Sequence, residues 1–299
     1  MKTPLKHDVE SHLDLENYLI QEFKDRLDII KYSPQQILFL GSKSLGLLNF
    51  LQNKYPGAKI IQLDPDPIGR IQDSPLQNKI LKNFFQKIFC PTKSSSQILQ
   101  ISGSFEQIPL AKNSVNMIIS NLEIFDSDLK KSLPEISRVL NKNGLLMLSF
   151  PGPDTFLELR LAMASMDSQA HIGIFPDMHD LGDQLLAARF KDPVMDTEKI
   201  SFNFLSIQDL FKFIKKNKKN IRKKALLDRP KFLYGKHKWS AWQNNYLKNP
   251  DGTYPVQFEI NFAHAWGTDP IQSKDPDGYT RVSLEILKKT QPERIPCPK

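Results

Sequence analysis

The stretch Glu135-Ile136-Ser137-Arg138-Val139-Leu140-Asn141-Lys142-Asn143-Gly144-Leu145-Leu146-Met147-Leu148-Ser149-Phe150 limits the fold more than any other part of the chain. A charged, amphipathic helix end runs through a short turn into a strand without polar alternation. Gly144 stands where a helix C-terminus needs a residue that tolerates positive φ. The strand Leu145–Phe150 is apolar at nearly every position, so it needs cover on both faces, as in a parallel sheet with helices on each side.

The same alternation precedes it. Leu15, Leu19, Phe23, Leu27 and Ile30 recur at helical spacing and mark an amphipathic helix that ends near Ser33-Pro34. Ile37–Leu40 reads as a short buried strand, Gly41 to Gly46 as a turn, and Leu47–Leu51 as the start of a helix. Lys59–Leu63 is a second strand, stopped by Asp64-Pro65-Asp66-Pro67. Ser74–Cys90 reads as a helix with Ser74 as cap and Pro75 in its first turn. Ile98–Ile101 and Val115–Ile119 are further strands, the latter ending at Ser120-Asn121. Leu129, Leu133, Ile136 and Leu140 mark the next helix, with Pro134 inside it. Beyond Phe150 the pattern predicts helices over Thr155–Met166, Asp177–Phe190 and Ser206–Asn220, and strands over Pro193–Asp196 and Val256–Ala265.

This order predicts an α/β fold: a doubly wound, mostly parallel, Rossmann-like sheet with an added helical lid and C-terminal extension. The expected divisions are an N-terminal helical lid segment over 1–34 and a Rossmann-like core over 35–150. A substrate-side insertion that completes the sheet follows over 151–270, then a loose tail over 271–299.

Charge and cysteine content narrow the classes of function. The formal charge is +8, and Lys212–Lys224 holds eight Lys/Arg and no acid. Such a run is a solvated helix face or a docking surface for an acidic partner. It has little aromatic interleaving, which argues against nucleic acid. Cys90 and Cys297 lie far apart without metal-ligand spacing, so neither a disulfide framework nor a metal site is expected, and a cytoplasmic location fits. The start lacks the apolar core of a signal peptide, and no apolar run is long enough for a bilayer.

Ligands of open parallel sheets sit beyond the C-terminal strand ends. Here those ends carry Gly41, Gly46, Asp64, Ser104, Phe105 and Asn121, the candidate cofactor-binding residues. Asp64 follows the glycine turn by roughly 20 residues, the spacing at which an acid accepts from ribose hydroxyls in dinucleotide folds. A turn-forming role before Pro65 is the alternative.

The pattern E-x-x-R-V-L-x-x-x-G-x-L-x-x-S in the opening stretch resembles the end of the cofactor domain of class I S-adenosylmethionine (SAM) methyltransferases. Four later segments resemble one family within that class. They are Phe150–Arg160 (F-P-G-P-D-T-F-L-E-L-R), Phe175–Asp183, Pro193–Asp196, and His264-Ala265-Trp266-Gly267. That family is the BioC-type malonyl-acyl carrier protein O-methyltransferase of biotin synthesis, and the resemblance covers about Gln35–Gly267. It implies SAM as cofactor and methyl transfer to the free carboxylate of malonyl-acyl carrier protein.

It further implies that Arg160, His171 and His179 serve the substrate, each having an ordinary structural role as the alternative. The acidic carrier would dock on Lys215, Lys216, Lys219, Arg222 and Lys223. No membrane or nucleic-acid partner is implied. The chain departs from the class at the turn: Phe39 stands where an acid is usual, Lys43 where the second glycine is usual, and Gly46 falls one position late for the third. Ser104 and Asn116 likewise stand where acids are usual. A second reading therefore stays open, a catalytically degenerate member kept as a binding or assembly factor, similar to complex I assembly factors. A nicotinamide-dependent oxidoreductase is a third reading, disfavoured by the absence of G-x-G-x-x-G.

Overall fold

The computed structural model describes residues 13–42, 44–65, 98–164, 175–217 and 242–268. Among the described residues, seven strands form one sheet: β1 (Gln36–Leu40), β2 (Lys59–Asp64), β3 (Ile98–Ser102), β4 (Val115–Asn121), β5 (Leu140–Pro151), β6 (Lys191–Phe204) and β7 (Tyr254–Trp266). Their order is β3-β2-β1-β4-β5-β7-β6. The first five are parallel, and β7 runs antiparallel between β5 and β6. The helices are α1 (Leu13–Ile30), α2 (Leu45–Lys54), α3 (Leu129–Val139), α4 (Leu157–Ala164), α5 (Met178–Ala187) and α6 (Ile207–Asn217). The predicted helix Ser74–Cys90 and the predicted tail lie outside the described residues.

The apolar run of the opening stretch behaves as its sequence requires. Every residue from Gly144 to Pro151 is buried. Its strand pairs with β4 on one side and β7 on the other. The turn before it differs from expectation. Leu140 leaves the helix and pairs with Val115 as the first residue of β5. The positive φ falls on Asn143, at 56°. Gly144 is needed instead for close approach: a Cβ there would lie 2.7 Å from Leu140 Cδ1 and 2.9 Å from the carbonyl oxygens of Asn116 and Asn141.

The Glu135 and Arg138 side chains of α3 close on each other and on the turn before β4. Arg138 Nε and Nη2 donate to the Glu135 carboxylate, both at 2.8 Å. Arg138 also donates to the carbonyls of Leu110 (2.8 Å) and Ile108 (2.9 Å), and Glu135 accepts from the Ile108 N–H (3.0 Å). The guanidinium beside it holds the Glu135 carboxyl below the usual carboxylate range.

The N-terminal helix is part of the core. Leu15, Leu19, Phe23 and Leu27 are buried at the helical spacing read from the sequence, Ile30 of the same stripe is partly buried against the core, and Ile20 is buried beside them. Phe23 meets Phe262 of β7 edge-on at 5.8 Å, and the Arg26 guanidinium lies 3.9 Å from the centre of the same ring. Arg26 also pairs with Asp196 of β6. β6 forms the sheet's edge, and a bulge at Lys191–Val194 breaks its pairing register.

Candidate functional site

The strand order reverses direction at β1, whose neighbours are β2 and β4. That is the switch point at which open α/β sheets leave a crevice beyond their C-terminal strand ends. Pairing register decides which residues meet there. Leu40, the last residue of β1, is opposite Leu63 and Ser120. The residues that follow these three, Gly41, Asp64 and Asn121, are therefore brought side by side, and Asn121 is in turn opposite Ser149 of β5.

The turn after β1 is pinned from both sides. Gly41 has φ +114°, a conformation that favours glycine. Its N–H donates to Leu63 O at 2.8 Å. The buried Gln62 amide donates to its carbonyl at 3.0 Å and is itself held by Gln100. On the other face stands the carboxylate of Glu123, which accepts from the Ser42 N–H at 2.8 Å. A Cβ on Gly41 would lie 2.2 Å from Glu123 Cδ and 2.3–2.5 Å from its two oxygens. The first glycine of the turn thus makes room for an acid delivered from the end of β4.

Asn121 braces the same region. It donates from Nδ2 to Ser44 Oγ (3.1 Å) and accepts at Oδ1 from Ser149 Oγ (2.8 Å). Ser149 Oγ also accepts from the Leu122 N–H at 3.0 Å, where the chain turns with φ 58°. This chain of contacts links the N-terminus of α2 to β4 and β5. Asp64, Asn121 and Glu123 are all nearly out of solvent, at 5%, 7% and 4% exposure.

The other expected residues fall in different places. Gly46 lies in the first turn of α2 and faces α1: a Cβ there would meet Ile20 Cδ1 at 2.5 Å. Its missing side chain lets the N-terminal helix pack. Ser104 is exposed beyond β3, with its hydroxyl accepting from the Glu106 N–H at 3.1 Å. Phe105 is buried in the core. Phe39 also belongs to the core. Asn116 accepts at Oδ1 from the N–H groups of Gln35 and Gln36 and so fixes the start of β1.

Arg160, on α4, donates from Nη2 to the carbonyls of Pro153 (2.7 Å) and Thr155 (3.0 Å), and its Nε is buried without a hydrogen-bond partner among the described residues. His179 opens α5 with its side chain 80% exposed and Nδ1 2.7 Å from Asp177. Lys215 and Lys216 lie in the last turn of α6. His171, Lys43, Lys219, Arg222 and Lys223 lie outside the described residues. Among the described residues no group of three or more His, Cys, Asp or Glu is placed to hold a metal, and no helix is long and apolar enough to cross a membrane.

Sequence patterning does not single out Glu123. Its one signal is an acid directly after a buried strand end, in the otherwise uncharged run Ser120-Asn121-Leu122-Glu123-Ile124-Phe125. Two buried carboxylates, Asp64 at the end of β2 and Glu123 beside the glycine turn, are groups of the kind that could hold the diol and the cationic end of the expected cofactor.

Comparison with known proteins bears on the fold and the family. Residues 76–148 match a family model described as a methyltransferase domain. Solved structures share the fold, among them the YcgJ protein of Bacillus subtilis (TM-score 0.53, 10% identity, 85% of this chain and 100% of that one). Another is a putative methyltransferase of Bacillus halodurans (TM-score 0.50, 15% identity, 82% and 98%). Among curated relatives, the malonyl-[acyl-carrier protein] O-methyltransferase of Gallionella capsiferriformans is 34% identical over 91% of this chain and 90% of its own. A Coxiella burnetii protein named malonyl-[acyl-carrier protein] O-methyltransferase 1 is 33% identical over 88% and 84%. Relatives named as enzymes over nearly the whole chain do not favour the binding-or-assembly alternative. The chain belongs to the malonyl-[acyl-carrier protein] O-methyltransferase family.

Proposed function

We propose that this chain transfers a methyl group to the free carboxylate of malonyl-acyl carrier protein, the step expected in biotin synthesis. The observation that carries the proposal is the identity to relatives of that name over about nine-tenths of both chains, which takes in the cofactor side and the second half together. SAM is the cofactor of this family, and when bound it supplies an electrophilic methyl group on a sulfonium.

The reaction asks little acid–base chemistry of the protein. The nucleophile is a carboxylate oxygen that is already anionic. With SAM held there, its methyl would pass to that oxygen and the C–S bonding electrons would leave on the uncharged thioether. What remains is positioning and the exclusion of water. Asp64 is assigned to the ribose hydroxyls, which its two oxygens can accept together. The Gly41–Ser42 turn receives the amino-acid end. Arg160 is assigned to orienting the malonyl carboxylate. In support, it lies on α4, the first helix after β5, its guanidinium is planar, and its buried Nε has no hydrogen-bond partner among the described residues.

Docking of the acidic carrier on the basic end of α6 and the residues after it, including Lys215 and Lys216, is part of the same proposal. A cytoplasmic location goes with it, consistent with the sparse cysteines.

The test is incubation of the purified chain with SAM and malonyl-acyl carrier protein, read by intact-protein mass spectrometry. The expected result is a methyl ester on the malonyl group, and none on acetyl-acyl carrier protein. A chain that binds S-adenosylhomocysteine (SAH) yet leaves the malonyl carboxylate unmodified would overturn the substrate assignment.

A further inference from the structure

We propose that Glu123 supplies the anion that β1 lacks, its carboxylate receiving the α-ammonium group at the amino-acid end of the cofactor. The proposal rests on SAM being the cofactor, and goes beyond it by assigning one group of the ligand to one side chain.

Phe39 occupies the β1 position where an acid would stand, and its ring is sealed into the hydrophobic core at 1% exposure. Strand β1 therefore presents no carboxylate to the crevice. The loop after β4 reaches over instead. Its Glu123 carboxylate lies against Gly41 so closely that any side chain there would overlap it, with 2.2 Å from a Cβ to Glu123 Cδ. The Ser42 N–H donates to Oε1 and fixes the carboxylate's position over the turn. Gly41 thus serves two purposes, a positive φ and an open space, and the open space holds the acid.

The placement is at the switch point between β1 and β4, where the end of a nucleoside ligand must pass the glycine turn. The chemistry follows from charge. A carboxylate with 4% exposure attracts a compact cation, because Coulomb interactions strengthen as water is excluded. The amino-acid end of SAM carries a small ammonium with three donors. Two of the neighbouring polar groups, Asn121 and Gln62, are held by the protein itself, Asn121 by Ser44 and Ser149, and Gln62 by Gly41. Neither brings a charge.

Glu123→Gln is the discriminating variant, because a glutamine keeps the shape and can still accept from the Ser42 N–H while losing the charge. The probes are SAH and its des-amino analogue, which keeps the thioether and the carboxylate. Binding is read by calorimetry, with circular dichroism and thermal melting to show that the variant is folded. We expect Glu123→Gln to weaken SAH by about 10- to 100-fold, as for loss of a charge-assisted hydrogen bond. The des-amino analogue should bind the variant and the parent within about twofold. In the parent, SAH should bind more tightly than the analogue by a similar factor.

Equal losses for both ligands would mean that Glu123 only shapes the turn, and no loss for either would mean that the ammonium sits elsewhere. Either result overturns the proposal. A parent chain that fails to bind SAH at all would overturn the cofactor assignment itself, and this proposal with it. If Glu123→Gln does not fold, Glu123→Asp decides. It keeps the charge but withdraws it by one methylene, and should weaken SAH selectively over the analogue.

Discussion

Arg138 and Glu135 are joined by two parallel N–H···O bonds of 2.8 Å, and between them they hold three backbone groups of the Ile108–Leu110 turn. The E-x-x-R of the opening stretch is therefore a clamp on the approach to β4. Replacing Arg138 by Ala leaves two carbonyls and a carboxylate without their donor. We expect a loss of about 2 kcal/mol, moderated by the pair's partial exposure, read as a lower urea midpoint with unchanged m.

The same pair fixes the sign of an acid-side effect. The Arg138 hydrogen bond holds the Glu135 carboxyl below its ordinary range. Stability from a depressed carboxyl is present above its unfolded pKa, about 4.3, and is lost as pH falls through the lower folded value. In Arg138→Ala the acid-unfolding midpoint should move to higher pH. An unmoved midpoint would show that the carboxylate is stabilised by something other than the guanidinium.

His264 gives a second pH dependence nearer neutrality. Burial, and then the positive charge of Arg26, push its pKa down. The unfolded chain binds a proton here near pH 6.5 while the folded chain resists it, so folding stability declines as pH falls below about 6.5. Thermal melts of the parent and of His264→Gln between about pH 7.5 and 5.5 check this. The variant should show the shallower dependence.

Gly144→Ala tests the close approach at the start of β5. The added methyl would meet two carbonyl oxygens at 2.9 Å as well as Leu140 Cδ1. Backbone oxygens cannot swing aside as side chains do, so we expect a loss of about 1–3 kcal/mol. A variant as stable as the parent would mean that the bulge between β4 and β5 yields at little cost.

Asp64→Asn tests the diol assignment. The side chain keeps its shape but loses one acceptor and its charge. SAH affinity should fall by about tenfold or more with the fold intact. Unchanged affinity would move the ribose elsewhere along the strand ends.

Much of the fold is readable in the chain because hydrophobic period and strand length are local properties. Gln36–Leu40, Lys59–Asp64 and Val115–Asn121 match their predicted strands to within two residues. The long strand β6 shows in the sequence only over Pro193–Asp196, since its edge position leaves alternating residues exposed and weakens the apolar signal. The turn at Gly144 misleads because a helix stop and a tight strand crossing both call for glycine. The meeting of Gly41, Asp64 and Asn121 at the candidate site is legible, because it follows from strand ends. Glu123 is not, because what makes it notable is its lateral approach to Gly41, and sequence carries no record of contacts between distant loops. Gly46 shows the converse: a glycine in the right stretch can serve a neighbouring helix.

The seating of α1 has a consequence for biosynthesis. Phe23 and Arg26, early in the chain, rest on Phe262, which leaves the ribosome almost last among the described residues. Until that strand arrives, part of the first helix's apolar stripe has no native cover. The nascent chain must keep it from self-association through nearly the whole of translation, a natural occasion for a holding chaperone. Premature termination before β7 would release a product whose first helix lacks its Phe262 contacts.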